Sequence, residues 1–143
     1  AGAVGHYAVQ MAKAAGARVI ATVSGEEKAA IARAAGADAV INYRAEDVAA
    51  RALALTDGAG VDRVIEVDLA ANLQASIDAL KTDGDIVPYG SGALEIPIPF
   101  LPSVFKNIRY RFFIVYHLSA TDRARAVAGL TRALEAGQLQ HHL

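Results

Sequence analysis

AGAVGHYAVQMAKAAGARVIATVSGEEK, residues 1–28, is the stretch whose reading decides the fold. Val4, Ala8, Met11, Ala12 and Ala15 recur at helical spacing, and Gly16 stops that helix. Residues 18–23 (RVIATV) then read as a short buried strand. Gly2 and Gly5 match the last two glycines of G-x-G-x-x-G, and the first would fall just before Ala1. A glycine turn that opens a helix needs a strand ahead of it. The expectation is therefore a segment of a longer protein. In a sheet of order 3-2-1-4-5-6 the strand ahead of Ala1 would be the central one, and its neighbours would flank an unfilled slot.

The same rhythm continues along the chain. A helix over residues 26–35 ends at Gly36, and residues 38–42 (DAVIN) form a second strand. A helix over 46–56 is broken by Asp57-Gly58 and leads to a strand at 62–67 (DRVIEV). Residues 73–80 are helical, 82–84 are a turn, and 85–89 (DIVPY) are a fourth strand whose end Pro88 weakens. Such alternation marks right-handed βαβ units and a parallel sheet. Residues 92–107 hold three of the four prolines and read as a loop. Residues 108–116 (IRYRFFIVY), opening on Ile108 and closing on Tyr116, read as an edge strand. A last helix over 121–137 places Val127, Leu130 and Leu134 on one face. The fold class is α/β: one domain over residues 1–143, a Rossmann-type parallel sheet flanked by helices, truncated and lacking its first strand.

Composition narrows the partners. A 54% share of hydrophobic residues suffices for a core, and the net charge of −1 comes without any basic block. Nucleic acid is not expected, since it demands clustered Lys and Arg. No apolar run approaches the roughly 20 residues that cross a bilayer, so no membrane partner is expected either. Without cysteine there is no disulfide frame and no thiolate zinc site, and a cytoplasmic location is the expectation.

The turn and the strand tip suggest the ligand. At Gly2 the backbone can approach a pyrophosphate, and at Gly5 the helix can pack on the sheet. The N–H groups of Ala3 and Val4 then face the phosphates, helped by the helix dipole. NAD-binding domains usually carry Asp or Glu at the end of the second strand to bond the ribose hydroxyls. Here the tip reads Thr22-Val23-Ser24-Gly25, with no carboxylate, and Lys28 follows within one helical turn. That favours NADPH, whose 2′-phosphate a carboxylate would repel. Against it stand a solvated role for Lys28, and Glu26 and Glu27, either of which could turn to a ribose and favour NADH.

AGAVGHYAVQMAKAAGARVIATVSGEEK, AAGADAVINYRAEDV, GVDRVIEV and DGDIVPYGS together resemble the nucleotide-binding domain of quinone oxidoreductases, in the medium-chain dehydrogenase/reductase superfamily. That cofactor domain carries the zinc-binding dehydrogenase label. KNIRYRFFIVYHL resembles the same branch. The resemblance implies an N-terminal GroES-like catalytic domain outside this sequence and an active site in the cleft between the two domains. It implies that Ser24, Lys28 and Tyr43 hold the 2′-phosphate and that Ala3 and Val4 lie in the pyrophosphate turn. Tyr89, Gly90 and Ser91 would lie beside the nicotinamide ribose, and the backbone of residues from Phe113 to Val115 would meet the carboxamide. Val67, Asp68, Leu69 and Ala70 depart from the Asp, small polar, Val, Gly of the family, which leaves Asp68 as the candidate there. The resemblance also implies a homodimer through residues 108–116, the alternative being an edge covered by another domain. Ser24 as a helix cap, Tyr43 as a half-buried strand cap, and Phe112, Phe113 and Tyr116 as core or subunit contacts are the plain alternatives.

Catalytic zinc needs about three protein ligands. His6, His117, His141 and His142 show no ligand spacing, so no metal is expected here. There is no Ser/His/Asp arrangement; Glu66 and Asp68 are two apart on a strand, and no catalytic residue is assigned. The reading is an NADPH-binding domain serving hydride transfer to a small-molecule substrate, a quinone or related activated carbonyl or alkene. Its rivals are the cofactor domain of a zinc-dependent alcohol dehydrogenase, a non-catalytic nucleotide-binding module and, more remotely, a methyltransferase.

Overall fold

The computed structural model describes residues 2–141. His142 lies outside them, as does Ala1. Helices and strands alternate: α1 (Ala3–Ala14), β1 (Ile20–Val23), α2 (Glu26–Ala34), β2 (Ala39–Asn42), α3 (Val48–Leu55), β3 (Val61–Glu66), α4 (Leu69–Ala79) and β4 (Leu80–Pro88). Then come α5 (Phe100–Phe105), β5 (Arg109–Tyr110), a 3-10 turn (Val115–His117) and α6 (Ala120–Glu135).

All strand pairings are parallel. The strands form a pair, β1-β2, and a triplet, β3-β4-β5, and β1 and β3 are not bonded to each other. In the order 3-2-1-4-5-6 these five strands fill places 3, 2, 4, 5 and 6. Among the described residues none fills place 1. The fold is α/β of Rossmann type.

Packing joins the two sheets. Leu69, Leu73, Ile77, Leu80 and Ile86 form the main core, with Val61, Val64, Ile108 and Tyr110 against it. Ile41, Ala49, Ala52 and Ala79 form a second cluster that takes in Ile20 from β1 and Val61 from β3. Alanine lets α3 and α4 approach closely there. Lys106 locks α5 to this layer: its Nζ donates to the carbonyls of Ile77 (2.7 Å), Asp78 (3.1 Å) and Leu80 (2.8 Å) at the end of α4. On α1, Gln10 accepts from the Gln140 N–H (2.7 Å) and donates to its carbonyl (3.1 Å), so the C-terminal tail returns to the first helix.

Several expectations are corrected. The strand over 108–116 shrinks to Arg109–Tyr110. The last bond is from the Arg111 N–H to the Ile86 carbonyl (2.9 Å). The next donor in a parallel ladder would be the N–H of residue 88, and Pro88 has none, so pairing stops. The expected loop over 92–107 contains α5, because Pro99 and Pro102 fall at the cap and in the first turn, where a missing N–H costs nothing. The turn at 82–84 sits inside β4 as a bulge: register passes from Val61↔Leu80 to Arg63↔Asp85, and Asp83 has φ 62°. Gly60 makes that bulge possible, since a Cβ there would stand 2.7 Å from the Lys81 nitrogen. On α6 the expected apolar stripe is present, and its Val127, Leu130 and Leu134 are all exposed. No described helix is long and apolar enough to cross a membrane.

Arg109 and Arg111 both reach Asp85 while their own side chains stay half exposed. Asp85 is buried, accepts from Arg63 (2.7 Å) and Arg109 (2.6 Å), one strand to each side, and forms an ion pair with Arg111 (3.2 Å). Arg63, then Arg109 and Arg111, hold its carboxyl well below the usual carboxylate range. A lowered native pKa gives stability that is full above the unfolded value of about 3.9 and is lost as pH falls below it. Thermal melts of the parent should therefore drop steeply below about pH 4, while Asp85→Asn should melt lower at neutral pH and vary less across that window. Parallel pH curves for the two proteins would contradict this role.

Candidate functional site

Parallel strands end at a common edge, and in open α/β sheets ligands bind outside those carboxyl ends. The candidate residues fall there in three groups.

The first is the start of α1. Gly2 is its N-cap in extended backbone, no side chain caps it, and its first turn holds no acid. Space around Gly2 and Gly5 is open, with nothing within 4 Å of an added Cβ. Val4 is exposed. The amides of Ala3, Val4 and Gly5 are thus presented to a ligand with the positive end of the helix dipole behind them.

The second group is the tips of β1 and β2. The Tyr43 N–H donates to the Val23 carbonyl (3.0 Å), which brings Tyr43 beside Ser24. Ser24 is half-buried, while Tyr43 and Lys28 are exposed. Ser24 does not cap α2; the N-cap is Gly25, without a side-chain bond. Glu26 pairs with Arg33 (2.6 Å), which draws that carboxylate along α2. Among the described residues Lys28 has no ion partner. Arg44 follows Tyr43 and is exposed, a second cation on this rim that the sequence reading passed over; its adjacency to Tyr43 was the available signal.

The third group joins the turns after β3 and β4. Tyr89 N–H donates to the Glu66 carbonyl (2.9 Å) and Leu69 N–H to the Gly90 carbonyl (3.2 Å). Asp68 caps α4 through the Ala71 N–H (3.3 Å) and also accepts from the Gly92 N–H (2.8 Å). Its carboxylate is thereby spent on structure. A Cβ on Gly90 would overlap the Val67 carbonyl oxygen, so only glycine lets the turns approach this closely. Ser91 Oγ donates to the Ala93 carbonyl (2.8 Å). Burial, and then Glu66, push the Tyr89 hydroxyl above its ordinary value. Phe113 and Val115 follow β5 toward the same edge, half exposed in irregular backbone and a 3-10 turn.

Glu66 and Asp68 do not work as a carboxylate pair. Glu66 is buried and accepts from the Asp68 N–H, while Asp68 turns to the loops. Among the described residues no three His, Asp or Glu side chains converge as a metal site, and the chain has no cysteine. The described residues do not fit a zinc ion.

Comparison with known proteins agrees with this geometry. A zinc-type alcohol dehydrogenase-like protein of Schizosaccharomyces pombe is 40% identical over 111 residues, covering 77% of this chain and 32% of that protein. The quinone oxidoreductase of Escherichia coli, in complex with NADPH, superposes with a TM-score of 0.87 at 29% identity, over 100% of this chain and 45% of its own. A 2-haloacrylate reductase gives 0.90 at 32% identity, over 97% and 45%. The chain thus spans about a third to just under half of these proteins. Residues 3–132 match the family of zinc-binding dehydrogenases, and the chain belongs to that family, within the medium-chain dehydrogenase/reductase superfamily.

Proposed function

We propose that this chain is the NADPH-binding part of a cytoplasmic reductase that delivers hydride to a quinone or a related activated carbonyl or alkene. The observation that carries the cofactor choice is the rim of β1 and β2. It offers a hydroxyl at Ser24, an exposed cation at Lys28 with no ion partner among the described residues, and a phenol at Tyr43, with no carboxylate at the strand tip. The NADPH complex of the similar oxidoreductase and the activated alkene in the name of the similar reductase support the same reading.

Each group has a separate task. The α1 amides take the pyrophosphate, with charge-assisted bonds in place of side-chain caps. Ser24, Lys28 and Tyr43 take the 2′-phosphate. The turns at Tyr89, Gly90 and Ser91 and at Asp68 form a wall for the nicotinamide half, and Phe113 and Val115 offer backbone to its carboxamide. Bound NADPH supplies the hydride. This chain's contribution is to orient the cofactor and keep water from one of its faces. The cofactor domain of a zinc-dependent alcohol dehydrogenase is the second reading, favoured by the name of the fission-yeast relative.

We also assign the segment after β5 to a homodimer contact. Phe112, Phe113, Ile114, Val115 and Tyr116 are all at least half exposed beside an unpaired sheet edge. Exposed apolar edges are templates for pairing.

In the full natural chain NADPH should bind more tightly than NADH. Lys28→Ala should weaken NADPH about five- to tenfold by titration and leave NADH within about twofold. Equal affinities in the parent, or equal losses in the variant, would remove the phosphate site. Sedimentation should show a dimer that Phe112→Asp converts to monomer; a parent that sediments as a monomer would remove the contact.

A further inference from the structure

We infer that Glu66 is a positioning residue for the nicotinamide wall, acting through Asp68 on the Gly90–Gly92 turn. The inference rests on the cofactor reading above. Glu66 closes β3, where a parallel strand buried on its helical side ordinarily ends in an apolar residue. It is 5% exposed, and among the described residues no cation pairs with it. Burying a lone carboxylate is costly unless donors surround it. Three do. Oε1 accepts from the Asp68 N–H (2.8 Å) and from Asn72 Nδ2 (2.8 Å), and Oε2 accepts from Ser76 Oγ (2.9 Å). All three lie in α4 or at its N-cap, so the carboxylate also meets the positive end of that helix.

The consequence passes outward along bonds. Glu66 fixes the Asp68 amide, and with it the cap residue's backbone (φ −141°, ψ 86°). That aims the Asp68 carboxylate at the Gly92 N–H, 2.8 Å away. The turn lies close against that carboxylate: a Cβ on Gly92 would stand 3.1 Å from Asp68 Oδ2. The relay Ser76 and Asn72 to Glu66, Asp68 and Gly92 thus clamps the turn from the helix side. The relay's hydrogen bonds run within the end of β3, α4 with its cap, and the Gly90–Gly92 turn. Its effect is confined to one half of the dinucleotide.

That confinement gives the test. Adenosine 2′,5′-bisphosphate engages only the adenosine half, whereas NADPH needs both. In the full natural chain, Glu66→Ala should weaken NADPH about tenfold and leave the bisphosphate within about twofold. Glu66→Gln should restore most of the loss, because its carbonyl oxygen can still accept from Asp68 and Asn72 while Ser76 turns to accept. Asn72→Ala is an exposed change that removes one donor and keeps the fold. It should show a smaller loss of the same kind, about threefold, even if Glu66→Ala does not fold. NADPH binding unchanged in folded variants, or both ligands weakened equally, would overturn the positioning role alone. A parent that binds neither ligand would overturn the cofactor reading and this role with it.

Discussion

Parallel strand pairing is the constraint on which the rest depends. Antiparallel strands can reverse through two residues, but a parallel pair needs a crossover, and the crossover helices cover the sheet. Every strand then ends at one edge. In this chain that geometry collects residues far apart in sequence: the start of α1, Ser24 after β1, Tyr43 after β2, Asp68 after β3 and Tyr89 to Ser91 after β4. Each is delivered by the direction of the strand that precedes it or, for α1, by the helix it opens.

What distinguishes one end of the edge from the other is how the polar groups are spent. Around α4 almost every acceptor is already committed: Glu66 to Asp68, Asn72 and Ser76, and Asp68 to Ala71 and Gly92. That end is cross-linked by its own hydrogen bonds. At α1 and at the β1 tip the reverse holds. No side chain caps α1, Gly25 caps α2 without a side-chain bond, and Lys28 stands in solvent. Uncommitted donors at one end and a fixed wall at the other suit a ligand that is anionic along most of its length and planar at its tip.

Much of the fold was legible in the sequence because its signals are local. Glycines after α1, α2 and α3 take positive φ at Gly16 (82°), Gly36 (102°) and Gly58 (83°), and each stops a helix where the spacing said it would. The split into a pair and a triplet of strands followed from the same alternation. What escaped depends on partners distant in sequence. The strand over 108–116 was long by propensity, yet Pro88 on its neighbour ended the ladder after two residues. The pairing of Arg109 and Arg111 with Asp85 joins residues more than twenty apart in sequence, and no local pattern announces it. Asp68 was legible as a polar residue at the right edge but not as a cap and latch, and Glu66 gave no signal that it would be buried among donors on α4. The α6 stripe was read correctly as apolar, but periodicity could not name what would cover it.

The most direct measurement is hydrogen–deuterium exchange of the full natural chain with and without NADPH, read peptide by peptide. Binding should slow exchange over residues 2–6, 24–28 and 89–92 together, and leave α3 and α6 unaffected. Protection elsewhere with no change over residues 2–6 would mean that the α1 amides do not hold the pyrophosphate, and the dinucleotide reading of this edge would fall.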